Sequence, residues 1–367
     1  MISWLGWRLD PWLLGAIAGL LALGVLMAAV SSDGGARQAI LATAALAAFL
    51  ALARLDYRQL CAPPLPGFGY VLAMGALATV LALGVTEFGS QRWIGIGGAT
   101  VQPSEFMKVA LVAALAALAA ARASSARALL LSLALTVPPF VLVALQPDAG
   151  TALVLLAVWG VVVVTWGAAW RSLAGIAVST LAVAPVVFAL AVPDYQRERI
   201  ATFVDPDRDP LGSGFTLSQV ELALASGGIT GRGLVPSTES ALAFVPARSS
   251  DFVFALIAEQ LGMIGAAAVL ALLVMIAYRG LAAAARAPDR LGRVLATGLT
   301  AVIFTQAAVH VAVNLQLLPA TGLPLPFVSQ GGSSLLTMAL AAGLIASVAA
   351  REPPSSRQRW TAERWRR

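Results

Sequence analysis

One cysteine, one histidine and one lysine are all that the 367 residues hold of those three types. A single cysteine, Cys61, excludes an intrachain disulfide and a thiolate metal cluster, so the fold rests on packing alone. A single histidine, His310, offers no spacing typical of a protein-built zinc site, and no Ser-His-Asp or Cys-His nucleophile arrangement is evident in the sequence. Charge is scarce as well, with 11% charged residues against 59% hydrophobic ones and a mean hydropathy of +0.85, far from the balance of a soluble domain. No internal repeat is visible. No matched pair of interrupted apolar segments recurs in the two halves, which counts against an inverted-repeat transporter.

What is abundant is apolar sequence in runs long enough to span a bilayer. Ten are read, at 11–30, 38–53, 68–86, 105–121, 128–145, 151–170, 172–192, 252–278, 294–316 and 332–350. The expected class is therefore an all-α polytopic membrane protein with about ten transmembrane helices, a single domain over 1–350. The first run is read as a span rather than a cleaved signal, because removing it inverts the charge bias of every later loop. With a cytoplasmic N-terminus, the inner segments hold Arg8, Arg54, Arg58, Arg122, Arg127, Arg171, Arg279, Arg286, Arg290, Arg293 and every arginine from Arg351 onward. The outer side keeps Arg37, Arg92, Lys108, Arg197, Arg199, Arg208, Arg232 and Arg248. This positive-inside bias places both termini in the cytoplasm. The formal charge of +6 is then no sign of nucleic-acid binding, and the basic tail 351–367 reads as an anchor on anionic lipid.

Two segments interrupt the apolar pattern. Residues 193–250 form a long extracytoplasmic loop between the seventh and eighth helices. Within it FVDPDRDPLGSGF reads as tight turns, and Leu217, Val220, Leu222 and Leu224 have helical spacing, the pattern of a folded, membrane-lying lid. Leu323 to Ser334, LPLPFVSQGGSS, is an uncharged Pro/Gly/Ser loop between two spans. Irregular backbone at that depth is tolerated only where protein or a water-filled cavity covers it, which marks the loop as lining a functional site and Pro324, Pro326, Ser329 and Ser333 as substrate-binding candidates.

Ionisable groups at span edges are costly and supply the remaining candidates. Glu105 and Lys108 lie three apart on one helix face; they read either as an ion pair at the helix start or as a cation facing an anionic ligand. Asp148 opens a span where the helix dipole favours a carboxylate. Asp251 closes the long loop at the lipid boundary, as a cap or as a general base tuned by partial desolvation. Glu259, about two turns deeper, must be neutral or paired. His310, one turn before Asn314, reads as an interhelical hydrogen-bonding group. Arg197, Arg199, Arg232 and Arg248 either grip phosphate or balance Asp205, Asp207 and Asp209.

RWIGIGG with QPSEFMK, QPDAGT, RI followed by DPDRDPLGSGF, GGITGRG, SSDFVFALIAEQLG and NLQLLPATGLPLPFVSQGGSS occur in that order across about 90–340. Together they resemble the SEDS family (shape, elongation, division and sporulation), and DPLGSGF with STESALAFVP is closer to its elongation branch than to its division branch. The resemblance implies ten transmembrane helices in the bacterial inner membrane and a peptidoglycan glycosyltransferase. Its implied substrate is lipid II, a disaccharide-peptide on undecaprenyl pyrophosphate, and its implied partner is a class B penicillin-binding protein supplying the transpeptidase. The family's essential aspartate falls on Asp251, and Arg199, Glu105, Lys108 and Asp148 match other characteristic polar positions, with Arg92 in the RWIGIGG motif a further substrate-binding candidate.

The expected mechanism has Asp251 as general base, with Lys108, Arg199 and a divalent cation, Mg or Mn, on the leaving pyrophosphate. The chain departs from the family pattern where Ala247 and Ser249 replace a Glu and a His, where His310 replaces an Asn, and where Ala312 and Gln316 replace glycines. Two rivals are a transporter or flippase of lipid-linked precursors and a scaffold that recruits a synthase.

Overall fold

The fold is that of a computed structural model, in which all residues but 1, 5–6, 32–33, 88–89, 97–98, 173, 176–193, 211, 235–239 and 352–367 are described. Among the described residues nine helices are long and apolar enough to cross a membrane. They are α1 (Pro11–Val30), α2 (Gly35–Arg54), α4 (Leu65–Leu83), α5 (Pro103–Ala121), α6 (Ala126–Leu145), α7 (Ala149–Trp166), α10 (Val253–Arg286), α11 (Arg290–Asn314) and α12 (Gly332–Ala350). Short helices α3 (Tyr57–Leu60), α8 (Asp194–Val204) and α9 (Ser213–Gly227) join them. The span expected at 172–192 lies almost wholly outside the described residues, as does most of the basic tail.

Among the described residues strand is confined to two small antiparallel pieces. One is an N-terminal hairpin, β1 (Ile2–Trp4) with β2 (Trp7–Leu9); the other is a three-stranded meander, β3 (Val85–Glu87), β4 (Ser90–Ile96) and β5 (Ala99–Val101), between α4 and α5. The meander carries Arg92 toward the site.

Helix α11 is the axis of the bundle, packed against α5, α7, α10 and α12, while α12 lies along α2. Buried Gly292, Ala296, Gly298, Ala301 and Ala307 on α11 allow close approach, the usual means of association where lipid removes the hydrophobic drive between helices. Helix α6 contains Pro138 and Pro139, and a proline frees the carbonyl four residues before it. The carbonyl that Pro139 frees, Leu135 O, accepts the Tyr70 hydroxyl at 2.7 Å, so α4 repairs the ladder of α6.

Helix α10, read from sequence as an unbroken span, is interrupted at Gly262 (φ 66, ψ −165). The Gly-rich turn after α9 docks into the break: Arg232 and Gly233 N–H donate to Glu259 and Gln260 carbonyls (3.0 and 3.1 Å), and Met263 and Ile264 N–H donate to Gly228 and Ile229 (2.9 and 3.2 Å). A Cβ on Gly231 or Gly262 would run into the backbone of the other segment. Glu259, fully buried, accepts from Ser240 Oγ at 2.5 Å and Ala241 N–H at 2.7 Å and faces Arg232 at 3.4 Å, the pairing its depth demanded. On α9, Val220 and Ala223 are buried while Leu222 faces outward.

At the N-terminal end of α11, Asp289 caps the helix through Gly292 N–H (2.7 Å) and accepts from Tyr57 Oη (2.9 Å) and Arg58 Nε (2.8 Å). Desolvation opposes its ionisation, but these donors outweigh it and hold the carboxyl below its ordinary range; burial and the adjacent Asp289 push the Tyr57 phenol up to about 12. Arg351 pairs with Asp56 at 3.1 Å in the same region.

Candidate active site

Asp251 ends a tight turn just before α10. Ser250 and Asp251 N–H both donate to the Ala247 carbonyl (3.0 and 2.8 Å), with Ala247 itself at φ 55. The turn is fixed from three sides. Asn314 Nδ2, at the end of α11, donates to the Asp251 carbonyl at 3.0 Å. Ser329 Oγ, in the PLPF loop, donates to the Ser250 carbonyl at 2.5 Å and accepts Leu325 N–H at 2.7 Å. Gln330 N–H donates to the Ser249 carbonyl at 3.0 Å, and Ser249 Oγ donates to Gln330 Oε1 at 3.2 Å. The PLPF loop is covered by α1, where Gly24 meets the Val328 carbonyl without room for a Cβ, and by Gln38 of α2, whose amide lies 3.4 Å from the carbonyls of Val328 and Ser329.

The Asp251 side chain borders a cavity of about 160 Å³ whose other walls include Arg199, Thr202 and Phe203 of α8, Thr216 and Leu217 of α9, His310 and Val313 of α11, and residues 320–323. Arg199 Nη1 donates to the Ala320 carbonyl at 3.2 Å. An adjoining cavity of about 110 Å³ shares Arg199, Ala320 and Thr321 and adds Arg92. Arg92 is buried; its Nε donates to the Gln146 carbonyl at 3.2 Å, it also donates to the Pro147 carbonyl, and Nη1 lies 3.8 Å from Asp148. Gly322, at φ 71, separates the two groups: a Cβ there would sit 3.7 Å from both Arg92 Nη1 and Asp251 Oδ2. Burial raises the Asp251 pKa above its ordinary 3.8, against the pull of the Ser250 hydroxyl (2.9 Å from Oδ1) and the charges of Arg199 and Arg92. A carboxylate so desolvated is a stronger base than a solvated one, and two guanidinium groups stand where anionic charge can be met.

The sequence matches the family described as cell cycle protein (FtsW, RodA and SpoVE) over residues 12–353. The chain belongs to the SEDS family. It is 38% identical over 282 residues to the peptidoglycan glycosyltransferase MrdB of Escherichia coli K12, covering 76% of each chain. To the stage V sporulation protein E of Bacillus subtilis it is 34% identical, covering 74% of this chain and 75% of that one. Among solved structures it superposes on a chain from a peptidoglycan synthase complex, studied for the coordination of polymerization and crosslinking, with a TM-score of 0.81 at 31% identity, covering 94% and 98% of the two chains. For the rod shape determining protein RodA of Thermus thermophilus the figures are 0.71, 28%, 96% and 99%.

Within this SEDS fold the residues expected at the site divide. Asp251, Arg199 and Arg92 meet at the two cavities. Lys108 and Glu105 do not: both are fully buried, 2.7 Å apart, and line neither cavity. The Lys108 amine is taken by Gln306 Oε1, and Gln306 Nε2 donates to the Pro324 carbonyl at 2.9 Å and to Ser334 Oγ at 3.2 Å. Lys108 is thereby linked through Gln306 to the PLPF loop. Asp148 is also enclosed; it caps α7 through Thr151 N–H (3.2 Å) and receives Gln102 Nε2 (3.1 Å), standing behind Arg92. Pro324, Pro326 and Ser329 shape the loop without lining the Asp251 cavity. Ser333, accepting Gln102 N–H at 3.0 Å, borders a third cavity of about 460 Å³ with Arg37, Gln38, Trp93 and Gln330.

Gln306 and Gly322 were not foreseen from sequence. A polar glutamine inside an apolar span and a glycine two residues ahead of a Pro-x-Pro were the signals available. Among the described residues no three His, Cys, Asp or Glu side chains gather into a metal cluster. One cavity carboxylate suits a hard cation that takes its other ligands from phosphate and water, so Mg or Mn fits the donor set.

Proposed function

We propose that this SEDS protein is a peptidoglycan glycosyltransferase that polymerises lipid II in the bacterial inner membrane, working with a class B penicillin-binding protein as transpeptidase. The reading is carried by one observation: a desolvated carboxylate, Asp251, opens onto a cavity beside Arg199, and Gly322 stands next to both it and Arg92. The acceptor sugar's 4-hydroxyl attacks the anomeric carbon of the lipid-linked glycan, and its proton passes to Asp251. The bond from that carbon to undecaprenyl pyrophosphate breaks with inversion. Arg199 and Arg92 meet the charge that develops on the leaving group, as preorganised cations do in a low-dielectric site. Asp251 is the cavity carboxylate that would hold a divalent cation, which would supply further neutralisation of that charge. Helices α8 and α9 wall one side of the cavity.

Orientation follows from charge. Arg58, Arg122, Arg290 and Arg351 gather at the end of the bundle away from Asp251, which supports an extracytoplasmic site with both termini cytoplasmic. The solved relative from a peptidoglycan synthase complex supports the partner.

The test is glycan polymerisation from purified lipid II in detergent, wild type against Asp251→Asn, each with and without the transpeptidase. Polymer from wild type, lost in the variant, is expected. No polymer from any wild-type preparation, with lipid II crossing vesicle membranes, overturns the reading in favour of a flippase.

A further inference from the structure

His310 is the only histidine of the chain, is 1% exposed, and has one ring nitrogen spoken for. Its Nδ1 lies 2.7 Å from the Leu323 carbonyl. A carbonyl oxygen can only accept, so Nδ1 carries the proton and Nε2 presents a bare lone pair. That Nε2 has no partner among the described residues, although His310 borders the Asp251 cavity. A buried acceptor left unmet costs stability. We propose that His310 Nε2 is an acceptor for a hydrogen-bond donor of the sugar substrate, a hydroxyl or an acetamido N–H, and so orients the disaccharide beside Asp251. The proposal rests on the glycosyltransferase reading for the identity of its ligand.

The ring geometry supplies a clean variant. In His310→Asn the amide nitrogen takes the place of Nδ1 and retains the donor to Leu323, while nothing replaces Nε2. The expected result is a KM for lipid II raised about threefold to tenfold, the range of one hydrogen bond, with kcat and the melting temperature nearly unchanged. An unchanged KM overturns the proposal.

A second readout does not depend on turnover. With 15N-histidine labelling the full chain gives one imidazole, and its Nε2 resonance is expected to move upfield on adding lipid II and to stay in place with undecaprenyl pyrophosphate alone. A lipid II analogue lacking the 4-hydroxyl, and another lacking the acetamido N–H, identify the donor by which one abolishes the movement. A resonance unmoved by lipid II overturns the proposal even where glycan forms. A resonance that moves where no glycan forms keeps the contact and removes the polymerase reading.

Discussion

Asn314 holds Asp251 by its backbone: Nδ2 donates to the Asp251 carbonyl at 3.0 Å while Oδ1 accepts the Ala255 N–H at 3.0 Å. One side chain at the end of α11 thus sets both the turn that presents the carboxylate and the first turn of α10. Asn314→Leu leaves two buried backbone groups unmet, at about 1–3 kcal/mol each. It is expected to lower the melting temperature in detergent and to reduce kcat more than it raises KM, because the base is displaced while the binding walls stay. Equal loss in both parameters argues against a positioning role.

The raised pKa of Asp251 predicts a pH profile. A general base must be ionised, so kcat/KM should fall on the acid side through a pKa above the ordinary 3.8. The linkage has the matching sign. The folded protein holds the Asp251 proton more tightly than the unfolded chain, so its ionisation is a cost to the fold that is absent below the unfolded value and complete above the raised one. A profile flat down to pH 3.8 would remove Asp251 from the base role.

Gly322→Ala tests the gap between Arg92 and Asp251. The backbone there is left-handed (φ 71) and a Cβ would stand 3.7 Å from both charged groups. The strain is about 1–2 kcal/mol, small enough to leave a folded protein, and the expected loss of polymerisation is at least about tenfold. A variant with normal turnover would mean that nothing passes between the two side chains.

The Glu105–Lys108 pair calls for a double-mutant cycle. Breaking a buried pair by removing one partner costs about 3–5 kcal/mol, so Lys108→Met alone should destabilise strongly and loosen the PLPF loop through Gln306. Glu105→Gln combined with Lys108→Met should recover much of the stability. Recovery of activity along with it would confirm that Lys108 touches no substrate.

The sequence read well wherever chemistry was local. Nine spans showed as apolar runs, Glu105 and Lys108 as an i,i+3 pair, and Asp251 as a carboxylate at the lipid boundary inside a long family motif. It read poorly wherever a partner came from far along the chain. The contact between Lys108 and Gln306 did not show because the two are 198 residues apart. The break at Gly262 was invisible because what fills it, the turn at 228–233, belongs to the preceding loop. Asp148 read either as a cap or as a substrate-binding group, and its place behind Arg92 depends on the β4 meander bringing a guanidinium across from α4.

The turn at Ser249–Asp251 has a consequence for how the protein is born. Its clamps, Asn314, Ser329 and Gln330, all lie downstream of it, the last of them just before the final helix. A chain made only as far as Asp251 has none of the three, so the turn is fixed on every side only once synthesis has passed Gln330.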